Sequence, residues 1–389
     1  MNPKDFASSN TGQCIKTTGG YWAFLPALLP PVLNIDMAMV SALSRADSAL
    51  GTVAGLTLGG AVPRMQALLQ AFSRREAVLS SRIEGTQTQL AELFLFDVSP
   101  SPPEDEVQEV QNYFLALQEG VKQLNELPIS LRAVRNLHRT LLSGVRGQDK
   151  TPGEFRTRQN CIGRPGDTVE TARYVPPPVE EMHRLLANWE QFVNERGKFP
   201  DLIQCAIMHE QFEAIHPFAD GNGRVGRLLI SLFLVERKLL PQPYLYLSGF
   251  FEAHRPDYYE LLQNVRTRGE WGSWIRFFLV GIAETSHSVT RQARHLETMR
   301  QQYRDQLNGK ARARELLDAL LANPYTTVVR AAALLHISKP TAQKIIDQLR
   351  QVGILEETTG KSWGRVYVAK PILKAIENPP EAENEGGDP

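Results

Sequence analysis

Cysteine is scarce: 389 residues carry three, Cys14, Cys161 and Cys205. Widely spaced and odd in number, they build neither a disulfide framework nor a clustered metal site. They suit a reducing compartment, so a cytoplasmic location is expected. Excess charge is missing too. Lysine plus arginine balances aspartate plus glutamate at 43 each, so the whole chain is no bulk polyanion binder, although one basic face is compatible with that balance. Long apolar runs are absent: stretches such as LLISLFLV after Arg227 are too short to cross a bilayer, and no membrane partner is expected. The N-terminal MNPKDFASSNTGQ has no basic patch followed by an apolar run, hence no signal-peptide character. No internal repeat is visible. The remainder, 42% hydrophobic and 22% charged, is ordinary globular composition, and the length suggests two or three domains.

Residues 1 to about 60, rich in Pro, Gly and Thr, predict an irregular arm. From Pro63 to Phe94 the pattern turns helical. Met65, Leu68, Leu69, Phe72, Val78, Leu79 and Ile83 fall near one stripe, and Gly85 stands where a helix would stop. SPSPPEDE is a loop leading into a helix whose acidic first turn suits the dipole. Further helices are expected over 104–125, 130–143, 179–196, 201–215, 223–238, 256–267 and 271–290. Residues 153–178 hold Arg-Pro-Gly-Asp between extended flanks and predict a β-hairpin. Beyond about residue 310, ARELLDALLAN predicts one helix, and VVRAAALLHISKPTAQKIIDQLRQVGIL predicts helix, turn, helix. Ser338 caps the second of these, Pro340 suits its first turn and Gly353 ends it. EETTGKSWGRVYVA, with Gly360 between two extended runs, completes a winged helix-turn-helix outline.

Residues 216–227 read HPFADGNGRVGR, a mixture that few packed cores want. Gly221, Asn222 and Gly223 precede an apolar run that begins a helix. Glycines let several N–H groups point one way, and a helix start adds partial positive charge, which together make a nest for an anion. Arg224 and Arg227, three apart, share one helix face, and two guanidinium forks beside such a nest suit a di- or triphosphate. Asp220 would repel phosphates directly but bridges to them through Mg²⁺, the expected cofactor. His216, with an ordinary pKa near ~6.5, can take a proton from an attacking hydroxyl. Pro217 and Phe218 fix the loop and wall off the site. Singly, each has an ordinary explanation: a GNG turn, a solvated arginine face, a structural histidine such as His138 or His209. Their conjunction points to phosphate.

The string resembles the signature of Fic-domain proteins, His-Pro-Phe-x-Asp-Gly-Asn-Gly-Arg-x-x-Arg, at every specified position, and the wider resemblance covers roughly residues 60–300. It implies a mainly α fold, a Fic-type helical core with a β-hairpin flap, followed here by the winged helix. It also implies a protein adenylyltransferase that moves AMP from ATP, with Mg²⁺, to a Ser, Thr or Tyr hydroxyl of a target protein or of itself. The implied division is an N-terminal arm and inhibitory helix over 1–100, a catalytic domain over 101–300, a winged-helix domain over 301–375 and a disordered acidic tail over 376–389.

The same resemblance assigns roles. His216 becomes the general base and Asp220 the holder of a metal that bridges the α- and β-phosphates. The Gly221–Gly223 backbone with Asn222 becomes the anion hole, with Arg224 and Arg227 on the phosphates. The 153–178 hairpin becomes the flap on which a target strand docks by edge pairing. Tyr258 and Tyr259 stand where the family often has aromatic residues close to the adenine. SSRIEG at 80–85 fits the family's inhibitory motif through Ser80, Glu84 and Gly85. Glu84 is thus implied to reach the ATP site and pair with Arg227, so that the γ-phosphate cannot.

Other outcomes stay open. In some relatives the same glutamate positions a water that removes AMP. A nucleotide-sensing, DNA-binding regulator would set Lys339, Lys344, Arg350, Lys361 and Arg365 on phosphates and Thr341 and Gln343 near bases, diluted by Asp347, Glu356 and Glu357. The winged helix could instead meet a protein, and a homodimer is open. Donors other than ATP usually accompany an altered signature, whereas Asp220 and Gly223 are both present.

Overall fold

The computed structural model describes residues 1–56, 62–99, 105–164, 166–360 and 363–378, with residues 62–69 as backbone only. The stripe residues Met65, Leu68 and Leu69, and Lys361 further on, therefore have side chains outside the described set. Two strands, β1 (Gly12–Lys16) and β2 (Trp22–Pro26), pair antiparallel. Five helices lead to the flap: α1 (Met37–Gly55), α2 (Val62–Ile83), α3 (Leu90–Phe96), α4 (Asp105–Gln123) and α5 (Leu131–Leu141). Six follow it: α6 (Val179–Asn194), α7 (Asp201–Ile215), α8 (Asn222–Glu236), α9 (Ser248–Ala253), α10 (Arg255–Arg268) and α11 (Trp271–Gln306).

At the centre is α7. Every residue from Leu202 to Ile215 is buried, as befits a helix with packed neighbours on all sides. Tryptophans reach it from two helices. Trp189 of α6 donates to the Met208 carbonyl at 3.0 Å, and Trp274 of α11 donates to that of Ala206 at 2.9 Å. Such contacts set the register of α7 and hence the position of the loop that follows it.

The irregular arm expected over residues 1–60 is instead a hairpin and a 19-residue helix. Asp36 caps α1 by accepting from the Met39 N–H at 2.7 Å. Met39, Ala42, Ala46, Ala49, Leu50 and Val53 are its buried face, which lies along α11. Three of those six are alanines, so the apolar stripe has helical spacing but little hydrophobic weight. Helix α11 also runs 16 residues beyond its expected end at 290. Its extra turns bury Ala293, Leu296 and Arg300, and Arg300 pairs with Asp318 at 2.6 Å.

Among the described residues, the β-hairpin expected over 153–178 is reduced to one antiparallel bridge, Ile162 with Tyr174. Its flanks spend their hydrogen bonds elsewhere: Gln159 donates to Pro176 and Asn160 to Phe218. Pro176, Pro177 and Pro178 have no N–H to offer a ladder.

Past α11 come α12 (Ala311–Leu320), β3 (Tyr325–Thr327), α13 (Val328–Leu335), α14 (Lys339–Gln351), β4 (Glu356–Glu357), β5 (Val366–Val368) and α15 (Lys370–Glu377). The strands form an antiparallel sheet in the order β3-β5-β4. Of the tail expected over 376–389, residues 376 and 377 belong to α15, and residues 379–389 lie outside the described set. This C-terminal unit rests on the helices before the flap. Asn323 donates to the Phe94 carbonyl at 3.1 Å, and Arg75 of α2 donates to that of Ile376 at 3.3 Å. Gln292, fully buried on α11, donates to the Ala375 and Ile376 carbonyls at 2.7 Å each. Gln292→Ala would leave the Ala375 carbonyl without that donor, while Arg75 still reaches the Ile376 carbonyl, and is expected to cost about 1–3 kcal/mol. A thermal melt reads this as a lowered Tm, and an unchanged Tm would contradict it. Among the described residues, no helix is long and apolar enough to cross a membrane.

Candidate active site

The signature loop joins two buried helices through two left-handed residues. His216 ends α7 at φ 49°, and Gly221 precedes α8 at φ 74°. Asn222 fastens the turn from inside: its Oδ1 accepts from the Phe218 N–H and its Nδ2 donates to the Phe218 carbonyl, both at 2.8 Å. Its side chain thus holds the loop from inside, with a second Nδ2–H beyond these two bonds. Phe218 is fully buried and stacks on His138 at 3.8 Å between centroids. The Gly153 N–H donates to His138 Nδ1 at 2.8 Å, which puts the ring proton on Nε2, 3.0 Å from the Asp220 carbonyl. Burial pushes His138 down to about 4, so it is a neutral strut. Arg156 supports the other side, donating to the His216 and Pro177 carbonyls at 3.0 and 2.6 Å. Sequence reasoning missed Arg156, because a single arginine in an irregular loop has no spacing to mark it.

The loop opens on a cavity of about 810 Å³, within the size range of nucleotide sites, lined by Glu84, His216, Gly223, Arg227, Tyr258, Tyr259 and the flap. Burial, with the Arg266 and Arg156 charges behind it, pushes His216 down to about 3. At neutral pH the imidazole is therefore uncharged, with a lone pair available. Asp220 lies outside that lining. Its side chain is 40% exposed, with Oδ1 accepting from the Gly221 N–H at 2.6 Å. Among the described residues there is no group of three or more metal-ligating side chains. One half-exposed carboxylate beside a helix start fits Mg²⁺, which takes most of its ligands from water and phosphate.

The two arginines have different surroundings. Arg224 is 1% exposed and turns to Glu109 of α4, Nη1 to Oε2 at 3.3 Å, so it stands behind the nest rather than in the cavity. Arg227 is held by the end of α2. Its Nη2 lies 2.6 Å from Glu84 Oε1 and 3.0 Å from the Ser80 carbonyl, and its Nε donates to Ser80 Oγ at 2.9 Å. The Glu84 carboxylate lies against Gly223, where a Cβ would stand 2.4 Å from Oε1. Burial would raise its pKa, but the Arg227 charge and hydrogen bond overrule that and hold it below the usual 4.5.

The tyrosines divide. Tyr258 is 1% exposed with its hydroxyl 2.8 Å from His209 Nε2, which is a packing role at the cavity wall. Tyr259 is 40% exposed and faces Arg255 across 5.9 Å, which leaves its ring accessible to a planar base. Behind them Arg266, two turns along the same helix, forms a buried pair at 3.0 Å with Glu210, a partner not singled out from the sequence. Glu213 was missed as well. Because α7 is buried all round, its sequence has no polar face on which such a carboxylate would stand out.

Residues 128–234 match the model of the Fic/DOC family, and residues 40–122 match that of the Fic/DOC family N-terminal region. The chain is 29% identical over 184 residues to the protein adenylyltransferase Fic of Aedes aegypti, covering 44% of this chain and 33% of that protein. It is 26% identical over 277 residues to the protein of the same name from Culex quinquefasciatus, covering 66% and 51%. It therefore spans a third to a half of these relatives' lengths. The crystal structure of a Fic family protein from Desulfovibrio desulfuricans G20 aligns with a TM-score of 0.56 at 20% identity, over 88% of this chain and 98% of that one. That likeness is one of fold. With the signature loop, the neighbouring helices and both family models in agreement, residues 40–122 and 128–234 carry the N-terminal region and the Fic domain of the Fic/DOC family.

Proposed function

We propose that this protein is an autoinhibited protein adenylyltransferase, which transfers AMP from ATP to a hydroxyl of a target protein or of itself. One observation carries the proposal. Glu84 sits on Arg227 and against Gly223, in the same cavity as a neutral His216. The N-terminus of α8 offers backbone N–H groups and a positive dipole end to the phosphates. Asp220 would hold Mg²⁺, whose charge offsets that of the phosphates. His216 accepts the proton of the incoming hydroxyl. The hydroxyl oxygen bonds to the α-phosphorus as the bond to the β-phosphate oxygen breaks, and pyrophosphate departs with the electron pair. Positioning and charge neutralisation do the rest.

The brake acts by competition. While Arg227 is bonded to Glu84 it cannot hold the γ-phosphate, and a carboxylate against Gly223 repels it. Release is not expected from mild acidification. With its pKa held below 4.5, Glu84 keeps its charge above the unfolded carboxylate range, and the pair is lost only as pH falls through the lower folded value. Wild-type self-labelling should therefore stay equally low from pH 8 to pH 6. A rise of tenfold or more across that window would contradict the ionised brake.

Whether AMP or another group moves is tested by donor labelling. Label on the α-phosphate should be incorporated and label on the γ-phosphate should not, and the reverse would identify phosphoryl transfer. The C-terminal unit we take to be a winged helix that meets protein rather than DNA. Arg350 is paired with Asp347 at 3.3 Å, and Gln343 donates to Asp347 at 3.1 Å, so of the exposed α14 groups named for nucleic acid, Lys339, Thr341, Lys344 and Arg350, one cation is already engaged by an acid.

A further inference from the structure

Behind His216 the cavity holds a carboxyl group that neither the phosphates nor the brake uses. Glu213 stands one turn earlier on α7 and is 7% exposed, with Oε2 3.9 Å from His216 Nδ1. Glu213 Oε1 makes no hydrogen bond, and His216 Nδ1 makes none of ordinary geometry, with the Glu213 backbone near enough to act on the ring. Native interiors contain few buried unmet polar atoms, since each costs about 1–3 kcal/mol. Helix α8 makes room for this carboxyl: a Cβ at Gly226 would stand 2.4 Å from Glu213 Oε1. Both Glu213 and His216 line the cavity.

We propose that Glu213 is a positioning residue for His216, accepting a hydrogen bond from Nδ1–H so that the Nε2 lone pair faces the target hydroxyl. This rests on the adenylyl-transfer proposal. A neutral imidazole carries one ring proton, and a carboxylate beside Nδ1 keeps it there. A small side-chain rotation closes 3.9 Å to a hydrogen bond of about 2.8 Å. When Nε2 takes the hydroxyl proton, the ring becomes an imidazolium and the adjacent carboxylate offsets its charge. Glu213 forms no covalent bond and takes no proton. The other charges facing His216 are Arg266 of α10, Arg156 near the start of the flap, and Glu84. Those facing Glu213 are Arg227 of α8, Glu84, Arg266 and Glu210. Burial pushes the Glu213 carboxyl up to about 7, against the pull of Arg227, so its acceptor form grows through the neutral range.

The test uses the full chain with Glu84→Gly, measuring kcat and KM for transfer from α-labelled ATP between pH 6 and pH 8.5. In this parent, kcat should climb through neutral pH. Adding Glu213→Gln should flatten that limb and lower kcat at pH 8 by about 10–100-fold, the usual cost of losing an orienting partner, with KM for ATP within about twofold. An unchanged kcat and limb would overturn the proposal. Should the added substitution unfold the chain, nitrogen NMR of the Glu84→Gly parent decides, with the His216 signals assigned by their loss in His216→Ala. A proton on Nδ1 supports the proposal and a proton on Nε2 overturns it. A Glu84→Gly parent that labels nothing at any pH would count against adenylyl transfer itself, while the tautomer would still report on Glu213.

Discussion

Glu84→Gly is expected to raise self-labelling from ATP and Mg²⁺ by about 10²–10³-fold, the scale on which single transition-state charge contacts act. Two effects combine in this one substitution. It frees Arg227 Nη2, now 2.6 Å from Glu84 Oε1, to meet the γ-phosphate, and it removes the carboxylate that lies against Gly223. Arg227 itself should not wander, because Ser80 still accepts from Nε and Nη2 at 2.9 and 3.0 Å. The same change leaves a nearly buried guanidinium without its counter-charge. Breaking a fully buried pair costs about 3–5 kcal/mol, and the cost here is smaller because water screens an exposed carboxylate. The Glu84 side chain is 33% exposed. The variant should therefore melt below the wild type without nucleotide and gain more from ATP, since ligand binding stabilises only the folded state. A variant that binds ATP yet labels itself no more than the wild type would refute the brake.

His216→Ala, placed in the Glu84→Gly background, is expected to lower transfer by about 10²–10⁴-fold, the usual contribution of a general base. The ATP-induced rise in Tm should persist, because the anion nest is backbone and Arg227 is untouched. That split separates loss of proton transfer from loss of binding. Histidine and alanine both carry a Cβ at φ 49°, so backbone strain alone should not separate the melting of the double variant from that of its parent. Transfer that survived in it would require another base. Neither buried neighbour fits that role: both ring nitrogens of His138 are engaged with the Gly153 N–H and the Asp220 carbonyl, and His209 Nε2 is bonded to the Tyr258 hydroxyl at 2.8 Å.

How much of this could be read in the chain depends on how local each message is. The 216–227 loop was legible because its chemistry lies within one turn and two helix ends, so spacing alone brings His216, Gly223 and Arg227 together. Glu84 was legible only beside that loop, and its 2.6 Å contact with Arg227 spans a separation no local pattern encodes. Asn222 has an additional task in holding Phe218, because the sequence does not reveal which partner a buried amide will choose. Helix α1 escaped notice because alanines carry half of its buried face, and Glu213 because α7 has no exposed face to contrast with it. The flap's turn was readable from Arg-Pro-Gly-Asp, whereas its near absence of strand pairing follows from side-chain bonds made by Gln159 and Asn160.

The most direct test of the central claim is incorporation of α-phosphate label from ATP with Mg²⁺, measured side by side for the wild type, Glu84→Gly and Glu84→Gly/His216→Ala. Label on the single variant, little on the wild type and none on the double variant is the predicted result. Absence of label on the single variant, despite an ATP-dependent rise in its Tm, would contradict both the transferase and its brake.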